Sequence, residues 1–148
     1  HPWNALDTCI SMGASMGMAL GMDKGRGEAD KNKKIVAVIG DSTFMHMGMQ
    51  GLLDITYNRG NVTILLLDNR AVGMTGGQDN PGNGRDIHGA EAPRVDFPRM
   101  CEALGVKKER IRVVDPTPET CLEVEDVLVL LGTPSQLANA ETRLFKGL

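Results

Sequence analysis

Two polar side chains directly follow two apolar runs, and their types and positions are those of metal ligands. Asp41 comes immediately after the run 35–40, and Asn69 follows the run 61–68, with 27 residues between the two polar residues. A carboxylate and an amide supply hard oxygens of the kind that Mg²⁺ binds, and Mg²⁺ leaves its other coordination positions to water and phosphate. The pair therefore predicts a magnesium site that is open to an anionic ligand.

The turn after the first run provides a matching anion site. Residues 40–43, Gly-Asp-Ser-Thr, precede a helix predicted over residues 44–58, with Ser42 and Thr43 as its N-caps. Backbone N–H groups at the N-terminus of a helix bind phosphate groups. A divalent cation beside such a turn indicates a diphosphate as the ligand.

A parallel sheet is needed to bring these residues together. The runs 35–40 and 61–68 are rich in branched aliphatic residues, which predicts strands buried on both faces. With the helix between them they form a βαβ unit, and in such sheets ligands bind beyond the carboxyl ends of the strands. The sequence also predicts helices over 97–106 and 119–132 and a third strand over 110–116. The predicted fold is α/β, a parallel sheet with helices on both faces.

Length and composition restrict the class of protein. The 148 residues, 41% hydrophobic and 24% charged, suit one domain over 1–148, and the opening residues read as the middle of a longer protein. A net charge of −3 gives no reason to expect nucleic acid or an anionic membrane as a partner. No apolar run approaches the roughly 20 residues of a membrane span. Cys9, Cys101 and Cys121 form no CxxC pair, which predicts free thiols in a reducing cytoplasm.

Two glycine-rich stretches flank the βαβ unit. Gly13, Gly17 and Gly21 lie four residues apart in a helix predicted over 7–22. Their smooth stripe suits either tight packing against another element or contact with a flat ligand. Residues 73–93 contain glycines and prolines without periodicity and predict a long loop, and loops of that length are functional or disordered.

These motifs together resemble the thiamine diphosphate (ThDP) domain of the 2-oxoacid:ferredoxin oxidoreductases, most of all their indolepyruvate branch. The Gly-Asp-Ser at 40–42 and the Asp-Asn at 68–69 have the spacing of the ThDP motif, and residues 11–21 look like the Met-Gly segment of ThDP decarboxylases and synthases. The run Gly-Met-Thr-Gly-Gly-Gln at 73–78 is specific to these oxidoreductases. The similarity covers residues 8–116. The family's iron–sulfur cysteine motifs are absent from this sequence, and the tail after residue 119 departs from the family pattern.

The resemblance implies roles for individual residues. Asp41 and Asn69 would be side-chain ligands of Mg²⁺, and Ala71 would supply a backbone carbonyl. His46 would face the substrate as the catalytic candidate, although a lone histidine is more often structural. Thr75 would hydrogen-bond the diphosphate or the thiazolium face, Gln78 is a weaker candidate for such a contact, and His88 is expected to be solvated in the long loop. Met12 would hold ThDP in its bent shape. The implied cofactor-binding residues are Met12, Gly13, Gly40, Asp41, Ser42, Thr43, Asn69, Met74 and Thr75.

The implied activity is the oxidative decarboxylation of a 2-oxoacid, such as indolepyruvate or another aryl pyruvate, to an acyl-CoA. Electrons would pass through iron–sulfur clusters elsewhere in the complex to ferredoxin. A separate pyrimidine-binding domain or subunit would supply the catalytic glutamate, because no glutamate here matches that role. We therefore expect a cytoplasmic dimer or larger oligomer.

Three alternatives stay open at this point. The chain could serve a non-oxidative ThDP decarboxylase or carboligase, or it could be a non-catalytic interaction domain of the ThDP fold. It could also be a Mg²⁺-dependent phosphohydrolase or a response-regulator-like domain with Asp41 as nucleophile. That last reading requires a second acidic residue beside Asp41 or a DxD-type turn, and the local sequence Gly-Asp-Ser-Thr contains neither.

Overall fold

The computed structural model describes residues 6–114 and 127–131, and four parallel strands form the centre of this part. They are β1 (Val36–Gly40), β2 (Thr63–Asp68), β3 (Ile111–Val114) and β4 (Val127–Leu131), in the order β1-β2-β4-β3. The α-helices are α1 (Ala14–Gly25), α2 (Asp41–Thr43), α3 (Met49–Tyr57) and α4 (Phe97–Ala103). None of the described helices has the length and apolarity of a membrane span. The predicted α/β class with a parallel sheet is confirmed.

One hydrophobic core joins the helices to a face of the sheet. Alternate strand residues share it, as a period of two requires, and the strands and helices contribute Ala37, Ile39, Ile64, Leu66, Met16, Ala19, Phe44, Leu52, Ile55, Phe97 and Cys101. Helices on both faces are predicted, whereas α1, α3 and α4 all contribute to this one core. Residues 115–126 and 132–148 lie outside the described part, so the cover of the second face stays a prediction.

The two strands of the βαβ unit differ in burial. β2 is buried at every position except Leu67, which is half-buried, as predicted for a strand covered on both faces. In β1 the burial alternates, and Val36 is 39% exposed. β1 lies at an edge of the described sheet, and for this strand the expectation of burial on both faces is wrong.

The strand β4 lies where a helix is predicted. Residues 127–131 pair in parallel with β2 on one side and with β3 on the other. The helix predicted over 119–132 is therefore wrong at 127–131, and its residues 119–126 and 132 lie outside the described part. A short run of branched aliphatic residues suits a strand between two other strands, and this central pairing outweighs the helical interpretation.

The helical segment after β1 begins earlier than predicted. α2 starts at Asp41, with Gly40 as an extended N-cap and no side-chain hydrogen bond at the cap. The predicted capping role of Ser42 and Thr43 is wrong, because β1 runs into the helix without the loop that a capping side chain occupies. A π-helical turn, Phe44–Gly48, joins α2 to α3, and such turns within α-helices are frequent at functional sites.

Of the three glycines in the predicted helical stripe, Gly17 and Gly21 lie in α1, which begins at Ala14 and not at residue 7. Gly13 precedes α1 as its N-cap with a φ of 83°. A methyl group built on Gly17 or Gly21 meets no atom within 4 Å, so tight packing through these two residues is wrong for the described part. Contact of Gly17 and Gly21 with a ligand stays a prediction. Close approach occurs instead at Gly51 of α3, where a Cβ would lie 2.5 Å from the Met16 Cβ.

Candidate functional site

Asp41 and Asp68 are neighbours at the carboxyl edge of the sheet. The register of β1 and β2 pairs Gly40 with Leu67. The residues that follow these two, Asp41 and Asp68, therefore lie next to each other. Both side chains are buried, with exposed fractions of 2% for Asp41 and 7% for Asp68. Burial raises the pKa of the Asp68 carboxyl above its usual value; the hydrogen bond from the Arg70 N–H opposes the rise, and the Asp41 charge adds to it. Two buried neighbouring carboxylates are costly unless a proton or a cation balances their charge.

Asn69 stands beside this pair and begins a strained turn. The Arg70 N–H donates to Asp68 Oδ1 at 3.1 Å, and the Ala71 N–H donates to Asn69 Oδ1 at 3.0 Å. Arg70 has a φ of 59°, a left-handed conformation that costs of order 1 kcal/mol or more for a residue other than glycine. A methyl group built on Gly73 would lie 3.0 Å from Asn69 Nδ2. The chain thus folds back over the Asn69 amide directly after Asp68.

A third buried polar residue, Asn80, comes from the long loop. Its side chain is 5% exposed. Asn80 Nδ2 donates to Asp41 Oδ2 at 3.0 Å, and Asn80 Oδ1 accepts from the Gly82 N–H at 2.8 Å. The loop therefore contacts the predicted metal ligand directly.

Sequence analysis missed both Asp68 and Asn80 as members of this site. The contact of Asp68 with Asp41 follows from the register of two neighbouring parallel strands, so a register prediction would have found it. Asn80 precedes Pro81 and Gly82, which signals a turn. No spacing in the sequence indicates that this turn reaches a residue 39 positions earlier.

A cavity of about 320 Å³ runs along β1 and α1 and brings together four predicted cofactor-binding residues: Met12, Gly13, Gly40 and Thr43. A methyl group built on Gly13 would lie 3.1 Å from the Met47 Cβ and 3.6 Å from Thr43 Cγ2. The start of α1 therefore lies against the helical segment that follows Asp41. Ser15 also lines the cavity, and its buried Oγ finds no hydrogen-bond partner within the described residues.

The other predicted residues are placed differently. Ser42 is buried next to Asp41, whereas Met74 is 92% exposed. Thr75 Oγ1 donates to Gln78 Oε1 at 2.7 Å, and Gln78 Nε2 donates to the Thr75 carbonyl at 2.6 Å, so their polar groups bind each other. His46 is exposed on the π-helical turn, which excludes a role as a core histidine. His88 is likewise exposed, in the long loop.

The donor atoms at the sheet edge fit Mg²⁺. Nowhere in 6–114 or 127–131 do three His, Cys, Asp or Glu side chains gather as a metal-ligand set. A cation at Asp41 would therefore use amide and carbonyl oxygens besides carboxylate. Oxygen ligands from few side chains suit Mg²⁺, which keeps water and phosphate in its other positions, whereas Zn²⁺ sites use mainly Cys and His.

Comparison with known proteins identifies the family of this domain. Residues 2–128 match the family described as thiamine pyrophosphate enzyme, C-terminal TPP binding domain. The chain belongs to this family. Thiamine pyrophosphate (TPP) is ThDP under another name, so the resemblance and the predicted ThDP-binding fold are both confirmed for this TPP-binding domain.

Relatives of this TPP-binding domain are curated as indolepyruvate oxidoreductase subunit IorA. The protein of Pyrococcus horikoshii is 38% identical over an alignment of 148 positions, which covers 88% of this chain and 22% of the relative. That of Methanothermobacter marburgensis is 36% identical over an alignment of 151 positions, with coverages of 96% and 23%. That of Archaeoglobus fulgidus is 37% identical over 115 residues, with coverages of 78% and 17%. The chain spans about a fifth of the length of these relatives.

The family match also tests the alternative that the chain is a Mg²⁺-dependent phosphohydrolase with Asp41 as nucleophile. That reading requires a second acidic residue beside Asp41, and the structure supplies one, Asp68, from the neighbouring strand. An acid pair alone would thus leave the alternative open. The match over residues 2–128 includes both acids and assigns them to a TPP-binding domain, so the alternative is set aside.

Proposed function

We propose that this chain binds ThDP through Mg²⁺ at the carboxyl edge of its sheet, within an oxidoreductase that oxidatively decarboxylates a 2-oxoacid to an acyl-CoA. The proposed substrate is indolepyruvate or another aryl pyruvate, and the proposed electron acceptor is ferredoxin. The observation that carries the proposal is the buried pair Asp41 and Asp68, with Asn69 in a strained turn beside it. The names of the IorA relatives support the oxidoreductase class.

The acid pair explains why the cofactor would need a cation. ThDP carries a negatively charged diphosphate, and two buried carboxyl groups would repel it. A Mg²⁺ ion held by Asp41 and Asn69, with the Ala71 carbonyl as a third ligand, would balance the acids and attract the diphosphate at once. The diphosphate would lie at the turn formed by Gly40, Ser42 and Thr43, where backbone N–H groups begin the helical segment.

The remaining predicted residues would position the organic part of the cofactor and the substrate. Bound ThDP supplies the chemistry of decarboxylation, and the chain supplies binding and orientation. Met12 and Gly13, at the N-terminus of α1, would contact one side of ThDP. Met74 and Thr75, which follow the strained turn, would contact another side. His46, exposed on the π-helical turn that follows Asp41, would exchange a proton with the substrate.

The proposed activity needs parts that lie outside this single domain of residues 1–148. We propose that a pyrimidine-binding domain or a second subunit supplies the catalytic glutamate, and that iron–sulfur clusters elsewhere in the complex carry the electrons. The small share of the IorA relatives that the chain covers is in keeping with this division. The proposed assembly is a dimer or a larger oligomer in the cytoplasm.

Calorimetric titration of ThDP, with and without Mg²⁺, tests cofactor binding. We expect binding that requires Mg²⁺, its loss in Asp41→Ala, and a milder loss in Asn69→Ala, because Asn69 contributes a neutral ligand. Asp54→Ala is the matched control, since it removes an exposed carboxyl group on α3. ThDP binding to Asp41→Ala with the affinity of the unaltered protein would contradict the site.

The reaction is tested separately on the full-length protein with its partner subunit. We expect acyl-CoA formation and ferredoxin reduction when indolepyruvate, coenzyme A and ThDP are supplied. Release of the aldehyde without any electron acceptor would favour the non-oxidative decarboxylase instead. ThDP binding without turnover of any of a series of 2-oxoacids would favour a non-catalytic domain.

A further inference from the structure

We propose that Asn80 is a positioning residue for the cation site: its buried amide orients the Asp41 carboxylate and ties the long loop to it. The inference rests on the proposed function, because it concerns the same cation. It adds a residue from residues 73–93, a segment for which the sequence predicts only a loop.

Two partners with opposite hydrogen-bonding character determine the orientation of the Asn80 amide. The Gly82 N–H can only donate, so the atom 2.8 Å from it must be the Asn80 oxygen. The Asp41 carboxylate can only accept when ionised, so the atom 3.0 Å from its Oδ2 must be the Asn80 nitrogen. A flipped amide would break both hydrogen bonds. The geometry therefore permits one orientation, and in that orientation the amide directs an N–H at Asp41.

The segment that carries Asn80 is anchored to the core. The Val95 N–H donates to the Pro81 carbonyl at 3.1 Å. A methyl group built on the buried Gly82 would lie 2.9 Å from Asn80 Oδ1 and 3.8 Å from Phe97 Cε2. Phe97 in turn makes an edge-to-face contact with Phe44, with ring centroids 6.1 Å apart. The amide is thus held by packed groups, and it can hold the carboxylate in one position.

A neutral amide suits this place better than a charged side chain would. A lysine here would neutralise Asp41 and compete with a cation for it. An aspartate would add a third acid to the pair Asp41 and Asp68, and all three would be buried. Asn80 orients the carboxylate and leaves its negative charge available to a divalent cation, which is how residues around metal ligands commonly act.

The test is calorimetry on the full-length protein and its variants. The readout is the Mg²⁺ concentration that gives half-maximal ThDP binding. We expect Asn80→Ala to raise this concentration by about tenfold, because partners of metal ligands typically change metal affinity by 10- to 100-fold. Asn83→Ala is the matched control from the same loop: its side chain binds Asp79 and the Arg85 N–H instead of Asp41. The control should leave the Mg²⁺ requirement unchanged.

A second variant covers the case in which Asn80→Ala does not fold. Gly82→Ala keeps the Asn80 side chain and places a methyl group 2.9 Å from its Oδ1, which displaces the amide from Asp41. It should raise the Mg²⁺ requirement in the same direction. A purely structural role would lower the melting temperature in these variants and leave the Mg²⁺ requirement of the folded protein unchanged.

The outcomes separate this inference from the proposed function. An unaltered protein that binds ThDP, with the same Mg²⁺ requirement in Asn80→Ala and Gly82→Ala, would overturn the role of Asn80 alone. An unaltered protein that binds no ThDP in the presence of Mg²⁺ would overturn the proposed function and the inference with it. A raised Mg²⁺ requirement in both variants, without a change in Asn83→Ala, would support the inference.

Discussion

The close approach of α3 to α1 depends on Gly51, and replacing it with alanine should destabilise the fold. The added Cβ would lie 2.5 Å from the Met16 Cβ and 3.2 Å from its Cγ, whereas carbon atoms in contact prefer about 3.5–4.0 Å. Met16 is fully buried, and its Cα lies only 3.8 Å from the added methyl group. The Cβ of Met16 is attached to the backbone, so a rotamer change cannot move it away. One helix must therefore shift by about an ångström.

The magnitude follows from two opposing effects. Added methyl groups in a packed core cost about 1–3 kcal/mol, and alanine in place of glycine within a helix gains about 1 kcal/mol. Gly51→Ala should therefore lower the free energy of unfolding by up to about 2 kcal/mol. Gly17→Ala is the control: it makes the same change in α1, where the new methyl group meets no atom within 4 Å. It should raise stability by up to about 1 kcal/mol.

Urea titration followed by circular dichroism would compare the two variants with the unaltered protein. Because helix propensity contributes equally to both variants, the difference between them isolates the packing cost, about 1–3 kcal/mol. Equal stability of Gly51→Ala and Gly17→Ala would refute the argument from Met16. Titrating ThDP into Gly17→Ala adds a second result, since a loss of affinity without a loss of stability would indicate a ligand beside Gly17.

Other predictions concern thiols, pH and the loop. Burial raises the pKa of the Cys101 thiol to about 12, so iodoacetamide at pH 8 should modify exposed Cys9 in the native protein and Cys101 only after unfolding; equal rates would contradict this. Because the folded pKa of Cys101 exceeds its unfolded value of 9.0, stability should fall above pH 9 by about 1.4 kcal/mol per unit, and Cys101→Ala should remove that slope. Burial acts to raise the pKa of Asp23, but the Asn61 N–H and the neighbouring Lys24 and Arg26 cations hold it below its usual value. The stability that Asp23 contributes at neutral pH should therefore be lost as pH falls below about 4, and Asp23→Asn should show less of this loss in acid titrations. Finally, we predict that the loop over residues 76–92 is mobile without cofactor on either side of its anchored residues 80–82, so trypsin should cleave after exposed Arg85 faster in the cofactor-free protein than with Mg²⁺ and ThDP; equal rates would mean that the loop does not respond to the cofactor.

Local patterns in the sequence predict the elements that carry Asp41 and Asn69. A branched aliphatic run, a Gly-Asp turn and a helix follow one another directly in the chain, so these elements can be predicted from consecutive residues. β1, β2 and the helical segment between them accordingly lie close to their predicted places. The same patterns place two candidate ligands at one edge of the sheet.

The parts that the sequence could not predict depend on contacts between distant segments. β4 is a strand because β2 and β3 flank it, and a run of aliphatic residues alone does not distinguish that environment from a helix. Asp68 and Asn80 join the site through strand register and loop folding, neither of which leaves a local signal. The N-cap prediction at Ser42 and Thr43 failed for a different reason, since β1 leads into α2 without a loop.

The position of β4 also determines the order in which the sheet can form. β2 ends next to the candidate cation site. It pairs on one side with β1, and on its other side it can pair only once residues 127–131 have been synthesised. A chain synthesised from its N-terminus therefore presents Asp41, Asn69 and Asn80 before the strand that closes the centre of the sheet exists. During that interval the open side of β2 can pair with other chains. The residues of the cation site are thus synthesised early, and the four described strands can pair beside them only after β4 has been synthesised.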